Sequence, residues 1–163
     1  MSMLATLPVG MEQLGIRRAT ADDLTAIVAL LADDELGAGR EDVSAAELAP
    51  YRSAFAAVDA DPRQLLLVVT DADGSVAATM QLTFIAGLSR QGALRAQIEA
   101  VRVSSRHRGQ GLGEAMITWA IAEARRRGCA LVQLTSDKQR ESAHRFYARL
   151  GFTASHEGFK LLL

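Results

Sequence analysis

Cysteine is nearly absent from this 163-residue chain. Cys129 stands alone in the apolar run CALVQL, so there is no disulfide framework and a reducing compartment is the easier setting. No cluster of His, Cys or acidic residues at ligand spacing surrounds it, so a small buried apolar side chain is the simpler reading than a reactive thiol or metal ligand. Aromatic residues make up only 5%, and neither charge dominates, with 18 basic against 19 acidic side chains and a net charge of −1. A nucleic-acid surface needs a basic patch interleaved with stacking rings, and this balance argues against one, as it does against attraction to an anionic membrane. There is no run of about 18 apolar residues to span a bilayer. The opening MSMLATLPVGMEQLG lacks the basic start and sustained apolar core of a signal peptide. A cytoplasmic protein is expected, with no metal, nucleic acid or membrane as partner.

At 17.5 kDa the chain has the length of one domain, enough to bury about two-thirds of its extended-chain surface. Residues 1–15 read as an arm and residues 16–163 as the folded unit. IRRAT (16–20) is expected as a short strand. Thr20 and Asp23 stand at capping-box spacing ahead of Leu24, Ile27, Val28, Leu30 and Leu31, which recur at helical intervals. Ser44 and Glu47 repeat that spacing before Leu48, Tyr51, Phe55 and Val58, a second amphipathic helix ended by Asp61-Pro62. QLLLVVTDADGSVAATMQLTFI reads as an antiparallel hairpin around DADG, and RAQIEAVRV as a further strand. From Gly111 the pattern turns helical, with Leu112, Ala115, Met116, Trp119 and Ala120 on one face. The ARRR before Gly128 complements the negative end of that helix rather than marking an anion site. LVQLT is a strand, SAHRFYARLG a short helix stopped by Gly151, and FTASHEG with FKLLL a closing hairpin. The order gives about seven strands and about four helices, an α+β (mixed α/β) fold with a mostly antiparallel central sheet. One strand–helix–strand crossover, over 97–135, calls for a parallel neighbour.

The densest signal is VRVSSRHRGQGLGEAM (101–116), with glycines at 109, 111 and 113 behind Arg106 and Arg108 and ahead of the helix. Backbone without side chains that turns into a helix N-terminus can hold a phosphate, because free N–H groups and the positive dipole end point the same way. A Walker loop requires Lys and then Ser or Thr after its last glycine, and Glu114-Ala115 stands there instead. A dinucleotide fingerprint has G-x-G-x-x-G and an acidic residue about 20 positions on. This chain has G-x-G-x-G, places Arg127-Gly128-Cys129 near that position, and lacks the repeated strand–helix alternation of a doubly wound sheet. What remains is Arg108-x-x-Gly111-x-Gly113 between a strand and a helix, followed by FYARLGF after the next strand, loop and helix.

These two motifs, at their separation and within this element order, resemble the GNAT superfamily of N-acetyltransferases over residues 16–163. The resemblance implies a GNAT-type acyl-CoA N-acyltransferase fold with a splayed parallel strand pair, acetyl-CoA as cosubstrate and no metal. It implies transfer of an acetyl group to a primary amine, on a small molecule or a protein, by direct attack in a ternary complex. On that reading Val101, Arg102 and Val103 pair with the pantetheine arm, and the N–H of Val101 or Val103 polarises the thioester carbonyl. Arg108, Gly109, Gln110, Gly111, Leu112, Gly113 and Glu114 hold the pyrophosphate. Tyr147 shares a helix face with Ala143, Phe146 and Leu150 and matches the family's proton donor to the departing thiolate, beside the plainer reading of a core tyrosine. Glu99, placed by strand alternation on the face of Val101 and Val103, is the candidate base through a water; a solvated residue or a partner for Arg95 or Arg102 is the alternative.

The Asn that the family often carries seven residues before the tyrosine is Arg140 here. Ser136, Lys138 and Arg140 therefore stand as alternative coenzyme contacts. His107, between Arg106 and Arg108, is placed to touch phosphate, whereas His144 and His156 read as surface or packing residues. For the acceptor, Tyr51, Phe55, Met80, Phe84 and Phe159 either line a pocket or belong to the core. The acidic ADDELGAGREDVSAAE (32–47) either draws a cationic amine or is solvated. A homodimer is a family expectation. A non-catalytic acyl-CoA-binding sensor on the same fold is the competing reading.

Overall fold

A computed structural model describes residues 3–33 and 48–163. Six strands form one sheet in sequence order: β1 (Met3–Val9), β2 (Glu12–Arg18), β3 (Gln64–Thr70), β4 (Val76–Ile85), β5 (Arg95–Val103) and β6 (Leu131–Leu134). Neighbours are antiparallel as far as β5, and β6 lies parallel to β5. Among the described residues four helices reach nine residues or more: α1 (Leu24–Ala32), α2 (Leu48–Ala60), α3 (Leu112–Arg126) and α4 (Glu141–Arg149). The expected α+β class and the parallel crossover through α3 are both present. The capping spacing at Ser44 and Glu47 lies outside the described residues.

Two expectations are corrected. Residues 1–15 are not an arm: from Met3 onward they form β1, a turn at Gly10 and the start of β2, and Leu7, Val9, Leu14 and Ile16 are buried. Their alternation places those four side chains on one face, which the core claims. At the other end, FTASHEG and FKLLL form no hairpin, and residues 153–163 are exposed and outside any strand. The sheet therefore has six strands where about seven were expected, one gained at the start and two missing at the end.

The sheet carries a core on each face. Leu112, Met116, Ile117, Ala120 and Ala124 of α3 pack with Leu65, Leu67, Met80, Leu82 and Ile98 on one side. Val68 points the other way and meets Ala19 and Ile27, with Leu31 and Phe55 at the margin. Each such fully buried aliphatic side chain contributes on the order of 1.5–3 kcal/mol, and α3 supplies most of its apolar stripe to the face that positions its own N-terminus.

The entry to α1 is fixed by a polar knot. Asp23 accepts hydrogen bonds from the Thr20 N–H (2.7 Å) and hydroxyl (3.0 Å), and from Arg17 Nη1 (2.7 Å) and Nη2 (2.8 Å). The expected capping spacing is thus a real cap, tied back to β2 by an arginine fork. Burial alone would push the Asp23 carboxyl up, but the bonds from Arg17 and Thr20 outweigh it and hold the group below its ordinary 3.8. A carboxyl depressed in the folded state contributes stability above its unfolded value and loses it as pH falls through the folded one. Asp23→Asn is expected to cost about 2–4 kcal/mol at neutral pH, since it leaves a half-buried guanidinium unpaired. Chemical denaturation at pH 7 and pH 3 checks this: the gap between variant and parent must narrow at the lower pH.

Candidate active site

β6 pairs with β5 only over Arg95–Ile98, matched to Leu131–Leu134. Beyond that point β5 continues to Val103 with β4 on one side and, among the described residues, no strand on the other. The ladder to β4 is itself irregular there, running from Gln81↔Glu99 to Thr79↔Arg102, so β5 holds one extra residue. Ala100 sits at φ +52° within that bulge. A bulge turns the strand and reverses the side-chain alternation: Ala96 and Ile98 face the α3 core before it, and Val101 and Val103 face it after. Glu99 therefore does not share the face of Val101 and Val103, as uninterrupted alternation would have placed it; it is exposed just ahead of the bulge.

The same register decides which backbone groups are available. The Ser104 N–H donates to Ala77 O of β4 (2.9 Å), so by two-residue alternation Arg102 also faces β4 while Val101 and Val103 face the open edge. Their carbonyls fit that placement, because side chains meet them: Arg102 Nη1 donates to Val101 O (2.8 Å) and Arg108 Nε to Val103 O (3.0 Å). The backbone of Arg102 belongs to the β4 ladder, so of the three residues expected along a coenzyme arm only the two valines offer main-chain N–H groups to the cleft.

The glycine segment follows a short helical turn at Ser105–His107. Gly109 at φ +76° and Gly111 at φ +91° occupy the left-handed region, and Gly111 caps α3. A side chain there would strain the backbone, which explains why this loop takes glycine. At Gly113, by contrast, a Cβ would lie 3.6 Å from Phe146 Cζ and 3.9 Å from Val103 Cγ2, ordinary contacts that leave room for it and show that α3 enters beside β5 and α4. The first intrahelical bond runs from Ala115 N–H to Gly111 O (3.0 Å), so the N–H groups of Leu112, Gly113 and Glu114 have no acceptor within the helix. Gln110 Nε2 donates to Arg106 O (2.7 Å) and braces the loop.

Arg108 does something the sequence did not suggest. Besides Val103 O, it donates through Nη2 to Asp33 O (2.6 Å) and Asp33 Oδ2 (2.8 Å), so its guanidinium links the end of β5 to the end of α1. His107 likewise turns away from the glycines. Its Nδ1 lies 2.8 Å from Ser104 Oγ and its Nε2 3.8 Å from Asp71 Oδ2, in the β3–β4 turn. The Asp71 carboxyl is pushed up by its hydrogen bond with Asp73 and by burial.

Tyr147 on α4 packs into the α3 core together with Val101 and Val103. Its ring meets Phe146 and Phe152 edge to face, at centroid distances of 5.1 and 5.8 Å. Burial pushes the hydroxyl's pKa up, and the cations of Arg102 and Arg140 oppose this without reversing it. The phenol is therefore protonated across the neutral range. Arg140 and Ser136 are half-buried in the approach to α4, whereas Lys138 points to Glu157 (2.6 Å).

Several other candidates are placed elsewhere. Met80 and Phe84 are core, Phe55 packs under α1, and Phe159 is 95% exposed, so these do not form one acceptor pocket. Most of the acidic stretch 32–47 lies outside the described residues. Arg126 and Arg127 both bond Glu123 at 2.7 Å, and Arg127 stacks 4.1 Å from the Phe84 ring, in keeping with a structural helix end. Cys129 is partly buried and burial raises its thiol's pKa. His144 and His156 are exposed. A groove of about 460 Å³ between β1 and α3, lined by Leu4, Arg18, Trp119 and Arg126 among others, includes neither the glycine loop nor Tyr147. Among the described residues no group of three or more His, Cys, Asp or Glu is arranged to hold a metal ion, and no helix is long and apolar enough to cross a membrane.

The chain is similar in sequence and fold to known proteins. The acetyltransferase (GNAT) family profile matches residues 25–152. An aminoalkylphosphonate N-acetyltransferase of Salmonella typhimurium is 31% identical over 147 residues, covering 88% of each chain. A Bacillus halodurans C-125 crystal structure described as a transcriptional regulator superimposes with a TM-score of 0.88 at 45% identity, over 92% of this chain and 99% of that one. An Agrobacterium tumefaciens protein described as a putative acetyltransferase gives a TM-score of 0.79 at 28% identity, over 91% and 99%. With a family match over most of its length and a relative of this similarity, the chain belongs to the GNAT superfamily of N-acetyltransferases.

Proposed function

We propose that the protein transfers the acetyl group of acetyl-CoA to a primary amine by direct attack in a ternary complex. The observation that carries this reading is the open edge of β5 leading straight into the glycine loop. Donor N–H groups of Val101 and Val103 lie on that edge, and those of Leu112, Gly113 and Glu114 lie at the helix end. Such an edge suits an amide-bearing pantetheine arm, and the helix N-terminus suits its pyrophosphate. On this reading Gly109 and Gln110 contribute backbone to the same cradle. Arg108 shapes the cradle from behind, because its guanidinium already ties β5 to α1. Ser136 and Arg140 border the same cleft.

The chemistry then divides among few groups. The amine attacks the thioester carbonyl, and the N–H of Val101 or Val103 stabilises the negative charge that develops on oxygen. Tyr147, kept protonated by burial, gives its proton to the departing thiolate. Glu99, exposed on the far side of the bulge, receives the ammonium proton through water. The acceptors to examine first are amines bearing a phosphonate, because the Salmonella relative is an aminoalkylphosphonate N-acetyltransferase.

Calorimetric titration with acetyl-CoA, NAD and ATP tests the reading: tight binding of acetyl-CoA alone is expected, and no binding of it would sink the proposal. Tyr147→Phe should lower kcat by about 10²–10⁴-fold with coenzyme affinity unchanged. The parent's kcat should fall only above the ordinary tyrosine range, and the variant should lack that basic limb. Binding without turnover in the parent, across an amine panel, would favour the acyl-CoA sensor. Gly111→Ala places a Cβ at φ +91°; it should cost about 1–2 kcal/mol of stability and weaken coenzyme binding more than Gly113→Ala, whose Cβ meets only ordinary contacts.

A further inference from the structure

We propose that the acceptor lies on the sheet face opposite α3, with its amino group at Glu99 and Gln81 and an oxyanion, carboxylate or phosphonate, about three carbons away on the amides of Gln64 and Gln97. The assignment rests on the acetyl transfer proposed for this chain, in which Glu99 marks where the amine stands.

Ala96 and Ile98 point into the α3 core, so Arg95, Gln97 and Glu99 point the other way. The strand registers carry this face across the sheet. Gln64 of β3 stands opposite Thr83 of β4, Thr83 opposite Gln97 of β5, and Gln97 opposite Gln133 of β6. One pleat nearer the bulge, Gln81 stands opposite Glu99, and directly opposed side chains on one face are near neighbours. Gln64, Gln81, Thr83 and Gln97 are half-buried. Amides in that position add less to folding than the apolar side chains that would extend the Val68 core, so the polar rows fit recognition better than packing.

Hydrogen bonds within the rows give them opposite polarity. Gln64 Oε1 accepts from Thr83 Oγ (2.7 Å) and from Gln81 Nε2 (3.1 Å), which leaves Gln64 Nε2 as a donor and Gln81 Oε1 as an acceptor. Gln97 Oε1 accepts from Gln133 Nε2 (2.7 Å), and among the described residues its own Nε2 reaches only Ile98 O at 3.5 Å. The row at Thr83 therefore presents N–H groups, and the row at Glu99 presents oxygens. Arg95 continues the same face beyond Gln97, and its Nε is buried with no acceptor among the described residues. Positive charge thus stands behind the donor row. The two rows are two residues apart along each strand, about 7 Å, which an extended chain covers in about five or six bonds. An amine joined to a carboxylate or phosphonate by about three carbons spans that distance.

Calorimetric binding, and free-CoA release from acetyl-CoA, test this with aminopropylphosphonate, γ-aminobutyrate and butylamine on the parent and on Gln97→Leu. The parent should use at least one of the two oxyanion-bearing amines with kcat/KM about tenfold or more above butylamine, and comparison of the two tells phosphonate from carboxylate. Gln97→Leu should shrink that preference about tenfold, with the loss in the amine's KM. Equal use of all three amines, or a preference that Gln97→Leu leaves intact, overturns the site and leaves acetyl transfer standing. Binding of an oxyanion-bearing amine that depends on Gln97, without turnover, supports the site and overturns the transfer. Neither binding nor turnover of either oxyanion-bearing amine overturns the site. Should Gln97→Leu unfold, as far-UV circular dichroism would show, Gln97→Glu keeps the side-chain length and carries the same readings, because a carboxylate in the donor row repels the oxyanion.

Discussion

Two parallel strands that pair over Arg95–Ile98 and then separate leave one edge of β5 without a neighbour, and the geometry of the candidate site depends on that separation. An unmet backbone group in a buried setting costs about 1–3 kcal/mol. The chain meets this cost unevenly. Guanidinium groups of Arg102 and Arg108 cover the carbonyls of Val101 and Val103, while among the described residues no side chain accepts from a backbone N–H at the first turn of α3. The edge thus keeps a surplus of donors. That polarity suits a ligand rich in carbonyl and phosphoryl oxygens, and the net charge of −1 for the whole chain could not have revealed it.

Arg108 joins the two halves of the site. Its bonds to Asp33 and Val103 cross from the end of α1 to the end of β5, and the glycines that begin with Gly109 are its immediate neighbours. Asp33 and Arg108 are each about half exposed, so the pair adds little to stability. Its effect is positional, because it fixes where the chain leaves α1 relative to where a pyrophosphate would sit. His107 braces the other side through Ser104 and Asp71. The glycine loop is therefore free of side chains at its centre and held by polar ties on both flanks.

Much of this was legible in the sequence because local chemistry enforced it. Glycines at positive φ, a capping aspartate and the apolar stripe of α3 are demands that a short segment makes by itself. The hairpin β1–β2 is harder to read from the sequence, because Pro8 and Gly10 interrupt its apolar alternation. Yet a proline is tolerated on an edge strand, and Leu7, Val9, Leu14 and Ile16 alternate correctly for a strand pair. The bulge at Ala100 carried no signal, because an alanine gives no hint of a left-handed φ; only the register against β4 reveals it. The partners of Arg108 and His107 were equally hidden, being residues remote in sequence. FKLLL has strand composition but finds no partner within the described chain, a case where propensity specifies a strand and topology withholds the neighbour.

The bulge also arranges the proposed proton transfers. It turns Val101 and Val103 toward the core that holds Tyr147 and leaves Glu99 exposed on the other side of the strand. Direct attack on a thioester brings the nucleophile to one side of the carbonyl while the thiolate departs at another, so an acid and a base on one face would crowd a single approach. Separation gives each a different dielectric. Tyr147 is partly buried and keeps its proton, as a donor should. Glu99 is exposed to water, as a relay to a departing proton should be. On the proposed mechanism, one inserted residue exposes a donor N–H to the thioester, directs the acid to the thiolate and leaves the base to the amine.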